Sequence, residues 1–396
     1  MKKLLLITAL FALAAPCFAA APTFKKLTLS DKFYAEGAYY GDFNKDGKMD
    51  VVIGPFWYEG PDFQKKHVVR EEEKVFDPKG YSYNFLTFTA DFNGDGWTDI
   101  FYVGFPGAEG FWYENPANKE GPWKKHLAFK VIDNESPMWG DINCDGRPEL
   151  ICNTGGQLGY CTWDPAKPDQ EWVFHAVTPK AGYHKYTHGI GFGDVNGDGR
   201  MDMLENAGWW EQPANAKKDE PWIKHPYQFA TDAAQMFAYD VDGDGLNDIV
   251  TAWHCHMYGL CWYKQVKNDK GEITFQQNVI LPPKPDLQSP ALRFSQPHAI
   301  DLVDMNGDGL KDILVGKRFW AHGPSGDAEP NAPAVVYWFE LRRDAQKKVE
   351  FIPHLIDDNS GVGTQVAATD LNGDGVPDVI VGNKKGNFVF LSEKAK

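Results

Sequence analysis

The stretch DVNGDGRMD, residues 194–202, decides the fold because its pattern returns along the whole chain. The pattern D-x-[DN]-x-D-G-x-x-[DE] occurs seven times, and the copies begin at Asp42, Asp91, Asp141, Asp194, Asp240, Asp304 and Asp370. Successive copies begin 46 to 66 residues apart, which suits one four-stranded blade of a β-propeller. The repeat therefore predicts an all-β fold, a seven-bladed β-propeller.

Each copy also places oxygen ligands at a spacing that suits one hard cation. Side-chain oxygens at positions 1, 3, 5 and 9 and a backbone carbonyl at position 7 can surround Ca²⁺, and Gly at position 6 permits the bend. We expect a Ca-binding loop in each blade and up to seven structural Ca²⁺; solvated acidic turns without metal are the alternative. The predicted ligands are Asp42, Asn44, Asp46, Asp50, Asp91, Asn93, Asp95, Asp99, Asp141, Asn143, Asp145, Glu149, Asp194, Asn196, Asp198, Asp202, Asp240, Asp242, Asp244, Asp248, Asp304, Asn306, Asp308, Asp312, Asp370, Asn372, Asp374 and Asp378.

The segments around the loops predict how the ring closes. Each loop is flanked by short β-rich runs, which gives four strands per unit, but the last unit has no fourth strand. The unassigned segment Phe24–Leu29 resembles the missing strand. We therefore expect the N-terminal strand to complete the last blade, which would protect exposed strand edges.

The N-terminus predicts export. Residues 1–20 combine two lysines, an apolar run and small residues, as in a secretory signal peptide, which leaves residues 21–396 as the propeller. The expected location is periplasmic or extracellular. Cys152 with Cys161 and Cys255 with Cys261 flank predicted hairpins and can pair there; buried free thiols are the alternative.

The charge composition limits the classes of partner that the chain can bind. The chain has 40 Lys and Arg against 55 Asp and Glu, a formal charge of −15, which argues against nucleic acid or an anionic membrane. No apolar run is long enough to span a bilayer. The oligomeric state stays open.

The histidines divide into two groups. Five recur at one position of their units after Phe or Trp, which predicts a packing or hydrogen-bonding role: His67, His126, His175, His225 and His354. Six others break the repeat: His184, His188, His254, His256, His298 and His322. Side chains that depart from a repeat are where function is expected.

Strand order predicts that the unrepeated residues meet at one mouth of the channel, opposite the acidic loops. The sixth residue before each loop should ring this mouth: Glu36, Phe85, Glu135, His188, Ala234, His298 and Thr364. His188, His298 and one of His254 or His256 can bind an additional divalent metal, with His254 as the nominated third ligand. Channel histidines bonded to water or backbone are the alternative.

The loops and their flanks resemble FG-GAP/VCBS repeats over essentially the whole mature chain. HGIGFGDVNGDGR (188–200) and FSQPHAIDLVDMNGDG (294–309) are similar to the propeller domain of the aldos-2-ulose dehydratase/isomerase family, metal-dependent lyases that act on keto-sugars. This resemblance implies a metal-dependent lyase that acts on a keto-sugar. Together with the predicted signal peptide and the unrepeated His, Lys and Arg residues, it leads to the hypothesis of a secreted carbohydrate-active lyase that acts by metal-assisted β-elimination on a keto-sugar or uronic-acid-type substrate. A non-enzymatic propeller that binds glycan or protein, with structural Ca²⁺ only, is the alternative.

Under the enzyme hypothesis, residues at the mouth divide into catalytic candidates and substrate-binding candidates. Tyr183 is an additional candidate for stacking against a sugar ring. The catalytic candidates are His188, His256, His298, His322, Arg318, Lys317 and Tyr186. The substrate-binding candidates are Glu36, Glu135, Gln235, Trp253, Trp320 and Gln365.

Overall fold

The computed structural model describes residues 21–71, 74–119, 121–215 and 220–394. Within these ranges the chain forms 28 β-strands and no helix, which confirms the all-β prediction. A helix that could cross a membrane is accordingly absent from the described ranges. The expected signal peptide, residues 1–20, lies outside the described residues.

The strands form six sheets, which are antiparallel except for one pair in the fourth sheet and which follow chain order except for β1. The first sheet has β2 (Ala38–Gly41), β3 (Asp50–Ile53), β4 (Phe56–Tyr58) and β5 (Lys66–Val68). The second has β6 (Leu86–Ala90), β7 (Asp99–Val103), β8 (Ala108–Glu114) and β9 (Lys124–Ile132). The third has β10 (Met138–Gly140), β11 (Glu149–Thr154), β12 (Gln157–Thr162) and β13 (Val173–Ala176).

The remaining strands form three further sheets. The fourth sheet is twice as large, with β14 (Ile190–Gly193), β15 (Asp202–Glu205), β16 (Gly208–Glu211), β17 (Ile223–Pro226), β18 (Gln235–Tyr239), β19 (Asp248–Ala252), β20 (Leu260–Lys267) and β21 (Ile273–Leu281). The fifth has β22 (Pro297–Val303), β23 (Asp312–Lys317), β24 (Val336–Arg343) and β25 (Val349–Asp357). The sixth has β26 (Ala367–Thr369), β27 (Asp378–Asn383), β28 (Gly386–Glu393) and β1 (Thr23–Ser30).

The expectation of seven separate blades is wrong for this structure. Five sheets are separate four-stranded blades, whereas β14 and β18 pair in parallel and merge the other eight strands into one sheet. This pairing requires the two strands to approach closely, which Gly191 opposite Met236 and Gly193 beside Ala238 permit. A Cβ atom on Gly191 would lie 2.0 Å from the Met236 carbonyl oxygen, so only glycine permits this approach.

The sheets form a propeller-like ring that the N-terminal strand closes, as predicted. β1 pairs antiparallel with β28, and Leu27 lies opposite Val389. The first strand of each separate blade lies innermost, as do both β14 and β18 of the large sheet, and β2 contacts both β6 and β26. Apolar side chains fill the spaces between neighbouring sheets; one such cluster joins Val250 of β19 to Val315 of β23 and Phe339 of β24.

The recurring histidines have the packing role that the sequence predicted. The rings of Trp57 and His67 stack across β4 and β5 with centroids 4.0 Å apart, and His67 Nε2 lies 2.7 Å from Glu59 Oε1. His126, His225 and His354 stack in the same way on tryptophans of the preceding strand. These histidines therefore stabilise the outer strands.

The predicted disulfide alternative is wrong for the described cysteines. Cys152, Cys161, Cys255 and Cys261 are all free and buried, and Cys144 is free and exposed. Buried thiols of this kind pack as small apolar groups.

Candidate functional site

The mouth of the ring lies at the opposite strand ends from the acidic loops. Each acidic loop joins the end of an innermost strand to the next strand, as residues 304–312 join β22 to β23. His298 lies at the start of β22, and Glu36, Glu135 and His188 each precede an innermost strand. The strand order therefore separates the two sets of residues as the sequence predicted.

Three unrepeated histidines converge at this mouth. His188 Nε2 lies 3.2 Å from His298 Nε2 and 3.2 Å from His256 Nε2. His188 is 4 % exposed and His298 is fully buried. His254, the nominated third ligand, is not in this group; it lies with Asp232 and Cys255, and His256 takes its place beside His188 and His298.

A buried arginine joins the histidines to two carboxylates. Arg318 Nη2 donates to Glu36 Oε1 at 2.8 Å, and its Nη1 lies 3.1 Å from Glu135 Oε2 and 2.9 Å from His298 Nε2. Burial opposes the charge of Arg318, but Glu36 and Glu135 hold its pKa above the ordinary value. Burial likewise opposes the charge of Glu135, but His188, His298 and Arg318 hold its pKa well below the usual range.

The three histidines differ in charge preference. Burial lowers the pKa of His298 to about 3, and the Arg318 charge acts in the same direction. Burial and the neighbouring charges of His298 and His188 also lower the pKa of His256. Burial disfavours a charged His188, but Cys255, Asp232 and Glu135 raise its pKa overall. Burial therefore favours the neutral form of His256 and His298, and the Nε2 lone pair of His298 accepts from Arg318 Nη1.

Two carboxylates on the outer side of the His188 and His256 imidazole rings were not predicted from the sequence. Asp232 Oδ1 lies 3.3 Å from His188 Nδ1, and Asp327 Oδ1 lies 3.8 Å from His256 Nδ1. Asp327 Oδ1 also lies 2.7 Å from Nδ1 of the half-exposed His322. Neither residue belongs to a repeated motif. The one feature of the sequence that could have indicated them is that each lies in a segment entering or leaving the predicted mouth.

Buried Cys255 was also missed as a member of the site. It groups with His188, His256 and His298 as a set whose ligand atoms lie within 4.8 Å of one another. Burial raises the pKa of the Cys255 thiol to about 11. Its position between His254 and His256 was the only sequence signal.

The remaining mouth candidates are spread around this cluster. Lys317 Nζ is buried and donates to Ser295 Oγ at 2.5 Å, and burial lowers its pKa to about 8. Trp253 packs against an apolar cluster, whereas Trp320 Nε1 donates to Asn331 Oδ1 at 3.0 Å. The predicted sugar-stacking roles of the two tryptophans stay predictions.

Gln235 and Gln365, nominated as substrate-binding residues, connect separate sheets. Gln365 Oε1 accepts from Thr87 N at 2.9 Å, and its Nε2 donates to Thr87 O at 2.8 Å. Gln235 Oε1 accepts from Ile300 N at 3.1 Å, and its Nε2 donates to Thr364 O at 3.2 Å. Their amide groups are therefore engaged in holding the ring together.

A cavity of about 490 Å³ opens beside His188. Its wall includes Tyr183, Tyr186 and Asp232, and Tyr183 Oη donates to Glu205 Oε2 at 2.9 Å. Tyr186 is 41 % exposed. The cavity has the size of a small-molecule site and connects one edge of the histidine cluster to solvent.

The acidic loops share one internal hydrogen-bond pattern. In the first loop, Asp42 accepts from the backbone of Asp46 and Gly47, while Asp50 accepts from Phe43 N and Gly60 N, both at 2.9 Å. Burial raises the pKa of Asp50 to about 7. Two of the loops each bring three carboxylates within 4.8 Å of one another. In the third loop these are Asp141, Asp145 and Glu149, and in the fifth loop they are Asp240, Asp242 and Asp248.

Family models match these loops and their flanks. The FG-GAP-like repeat matches residues 91–152 and 240–315, and the FG-GAP repeat matches residues 362–390. The chain contains FG-GAP repeats. The first and fourth acidic loops carry the same pattern but lie outside the matched ranges.

Solved structures match the chain at low sequence identity, and one of them has a TM-score above 0.5. BBS1N, solved in complex with ARL6DN, has a TM-score of 0.52 at 9% identity and covers 96% of this chain and 98% of its own. An Agrocybe aegerita lectin that recognises terminal N-acetylglucosamine has a TM-score of 0.46 at 16% identity, covering 94% and 86%. The V. cholerae biofilm matrix protein Bap1 has a TM-score of 0.39 at 12% identity, covering 95% and 84%. The comparison with curated proteins finds no match.

The histidine cluster is a departure from the FG-GAP repeats. Its members occupy positions where the other units carry different residues, such as Phe85 and Ala234 at the places of His188 and His298. The repeated residues form the ring, and the residues that depart from the repeat at one mouth form the candidate site.

Proposed function

We propose that this chain is a secreted carbohydrate-active carbon–oxygen lyase of the dehydratase type. It would act on a keto-sugar or uronic-acid-type substrate by metal-assisted β-elimination at the histidine mouth. The observation that carries the proposal is that His188 Nε2 lies 3.2 Å from both His256 Nε2 and His298 Nε2, in a group whose ligand atoms all lie within 4.8 Å of one another. Hydrogen bonding alone gives little reason to bury three imidazole nitrogens against one another.

The spacing fits a divalent transition metal. Ligand nitrogens at about 2.0–2.1 Å from a tetrahedral metal lie about 3.3 Å apart. Metal-binding imidazoles commonly have a carboxylate at their other nitrogen, and Asp232 and Asp327 lie beside Nδ1 of His188 and His256. His298 Nε2 would have to exchange the Arg318 hydrogen bond for the metal, and Arg318 would keep Glu36 and Glu135.

A bound metal supplies Lewis-acid stabilisation of the oxygen charge that develops during elimination. Asp327 orients the half-exposed His322, which leaves His322 Nε2 to take the proton next to the substrate carbonyl. Tyr186, at the cavity, can protonate the leaving oxygen. Both Nη atoms of Arg318 are engaged, so we assign Arg318 to holding Glu135 in place rather than to contacting substrate.

The acidic loops are proposed to bind Ca²⁺ as structural ions, up to seven per chain. Position-9 carboxylates are buried at the loop bases, as Asp99 and Asp312 are, and a hard cation would compensate their charge. The fifth loop differs because Lys264 Nζ donates to Asp242 and, at 2.9 Å, to Asp244. We expect this lysine to compete with Ca²⁺ there.

The test combines elemental analysis with a substrate screen. Purified protein is assayed for metals after mild chelation and is then incubated with keto-sugars and uronic-acid oligosaccharides while ultraviolet absorbance of unsaturated product is followed. We expect a transition metal in addition to Ca²⁺, and its loss together with turnover in His188→Ala and His298→Ala. His67→Ala, which removes an outer-strand histidine, should keep both. Ca²⁺ alone and no product would favour the non-enzymatic binding propeller instead.

A further inference from the structure

A second cavity, of about 390 Å³, lies among the innermost strands toward the acidic-loop end of the ring. Met201 and Lys311, which belong to the fourth and sixth acidic loops, are in its wall. The rest of the wall comes chiefly from aromatic side chains of five innermost strands: Tyr39, Tyr40, Phe88, Trp139, Phe192 and Phe237. None of these residues is used by the histidine site.

The aromatic wall is held in place by ring contacts. Tyr39 and Tyr40 stack with centroids 4.5 Å apart, and Phe88 and Trp139 stack at 5.4 Å. Tyr39 meets Phe88 edge to face at 5.7 Å. Rings fixed in this way offer a preformed aromatic surface to a small ligand.

One carboxylate lies in this wall. The sixth innermost strand contributes Asp301, whose Oδ1 accepts from Leu302 N at 2.9 Å. Among the described residues no Lys, Arg or His lies within ion-pair distance of Asp301; Lys311, on the acidic loop, is exposed and lowers its pKa only in part. Burial raises the pKa of Asp301 to about 6, so the group is charged above neutral pH.

The other polar side chains at the inner end of the cavity are already engaged. Gln235 and Gln365 line it, but both use their amide groups to connect strands. A sugar would therefore find few partners for its hydroxyl groups. An uncharged apolar ligand would cover Asp301 without giving its carboxylate a counter-charge, which is costly.

We propose that this cavity is a binding site for a small organic cation, a ligand that carries a quaternary or protonated ammonium group. Aromatic faces attract cations electrostatically, most strongly when the cation is desolvated, and Asp301 supplies the opposite charge. The proposal does not depend on the metal or on the lyase activity.

The probes are choline and its uncharged isostere 3,3-dimethylbutan-1-ol, titrated calorimetrically into the full chain at pH 8 in buffer that contains Ca²⁺. We expect choline to bind and the isostere to bind at least about tenfold more weakly. Equal affinity for the two probes would overturn the proposal, as would the absence of choline binding.

Two charge variants make the test sharper. Asp301→Asn removes the carboxylate at constant size and should weaken choline binding at least about tenfold. Lys311→Gln removes a positive charge at the rim and should strengthen binding severalfold. Phe237→Leu should weaken choline binding through the lost ring, whereas His188→Ala should leave it unchanged. Choline affinity that is insensitive to both charge variants would contradict the cation site without bearing on the proposed lyase.

Discussion

His188 Nε2 and His298 Nε2 lie 3.2 Å apart although 110 residues separate them in the chain. Each residue immediately precedes or begins an innermost strand of its own sheet, so ring closure brings them together. Asp232 stands behind His188, with its Oδ1 3.3 Å from Nδ1. A carboxylate behind an imidazole is also common around metal-binding histidines.

We predict that Asp232→Asn weakens binding of a divalent transition metal by about 10–100-fold, because the amide orients His188 less well and does not raise its basicity. Titration of the chelated protein with Co²⁺ or Zn²⁺ measures the change. Asp164→Asn, an exposed carboxylate paired with Lys167, is the matched control and should leave metal affinity unchanged. Equal affinity in the two variants would argue against a metal at the cluster.

Arg318 gives a stability prediction that does not require a metal. Arg318→Met would leave Glu36 and Glu135 buried without their cation, and losing one partner of a buried charge group costs about 3–5 kcal/mol. The free energy of unfolding in urea should fall by this amount. Lys65→Met breaks an exposed pair with Glu59 and should change it by less than about 1 kcal/mol. Similar losses of unfolding free energy in both variants would contradict a stabilising role for the buried ion pairs of Arg318 with Glu36 and Glu135.

The merged sheet can be tested at Gly191. Gly191→Ala would place a Cβ atom 2.0 Å from the Met236 carbonyl oxygen, so β14 and β18 would have to separate. We expect a loss of at least about 2 kcal/mol in unfolding free energy, as for overpacking against backbone. Gly182→Ala meets nothing within 4 Å and serves as the control. Full stability of Gly191→Ala would mean that the parallel pairing is dispensable.

The sequence predicted the repeated features better than the unique ones. A pattern that recurs with constant spacing indicates strands, turns and closure, because each copy supports the same conclusion, and β1 does pair with β28. The merging of two blades requires a close approach at Gly191, opposite Met236, and at Gly193, beside Ala238, and the repeat spacing does not predict which neighbouring blades approach so closely.

The site shows the same division. The prediction that unrepeated histidines gather at one mouth followed from strand order and holds for His188, His256 and His298. The choice between His254 and His256 depended on which way two nearby side chains point, and the loop after β19 turns His256 inward. Asp327 lies in the segment between β23 and β24, where no repeat fixes position, so its contact with His322 required the structure.

Removal of Ca²⁺ should destabilise the ring. The acidic loops contain 22 of the 55 Asp and Glu residues, and without cations their mutual repulsion opposes folding. A calcium chelator should lower the melting temperature by several degrees or more, and added Ca²⁺ should restore it. An unchanged melting temperature would indicate solvated acidic turns without metal.

Two matched substitutions compare a loop proposed to bind Ca²⁺ with the loop where we expect Lys264 to compete with the ion. Asp145→Asn in the third loop should reduce the measured Ca²⁺ content by one ion, because Asp141, Asp145 and Glu149 converge there. Asp244→Asn in the fifth loop should leave the content unchanged, because Lys264 already holds Asp242 and Asp244. Lys264→Gln should then add one ion to the fifth loop. If Asp244→Asn also reduced the Ca²⁺ content by one ion, the fifth loop would bind Ca²⁺ in the unmodified chain. Lys264 would then contact the loop only when Ca²⁺ is absent.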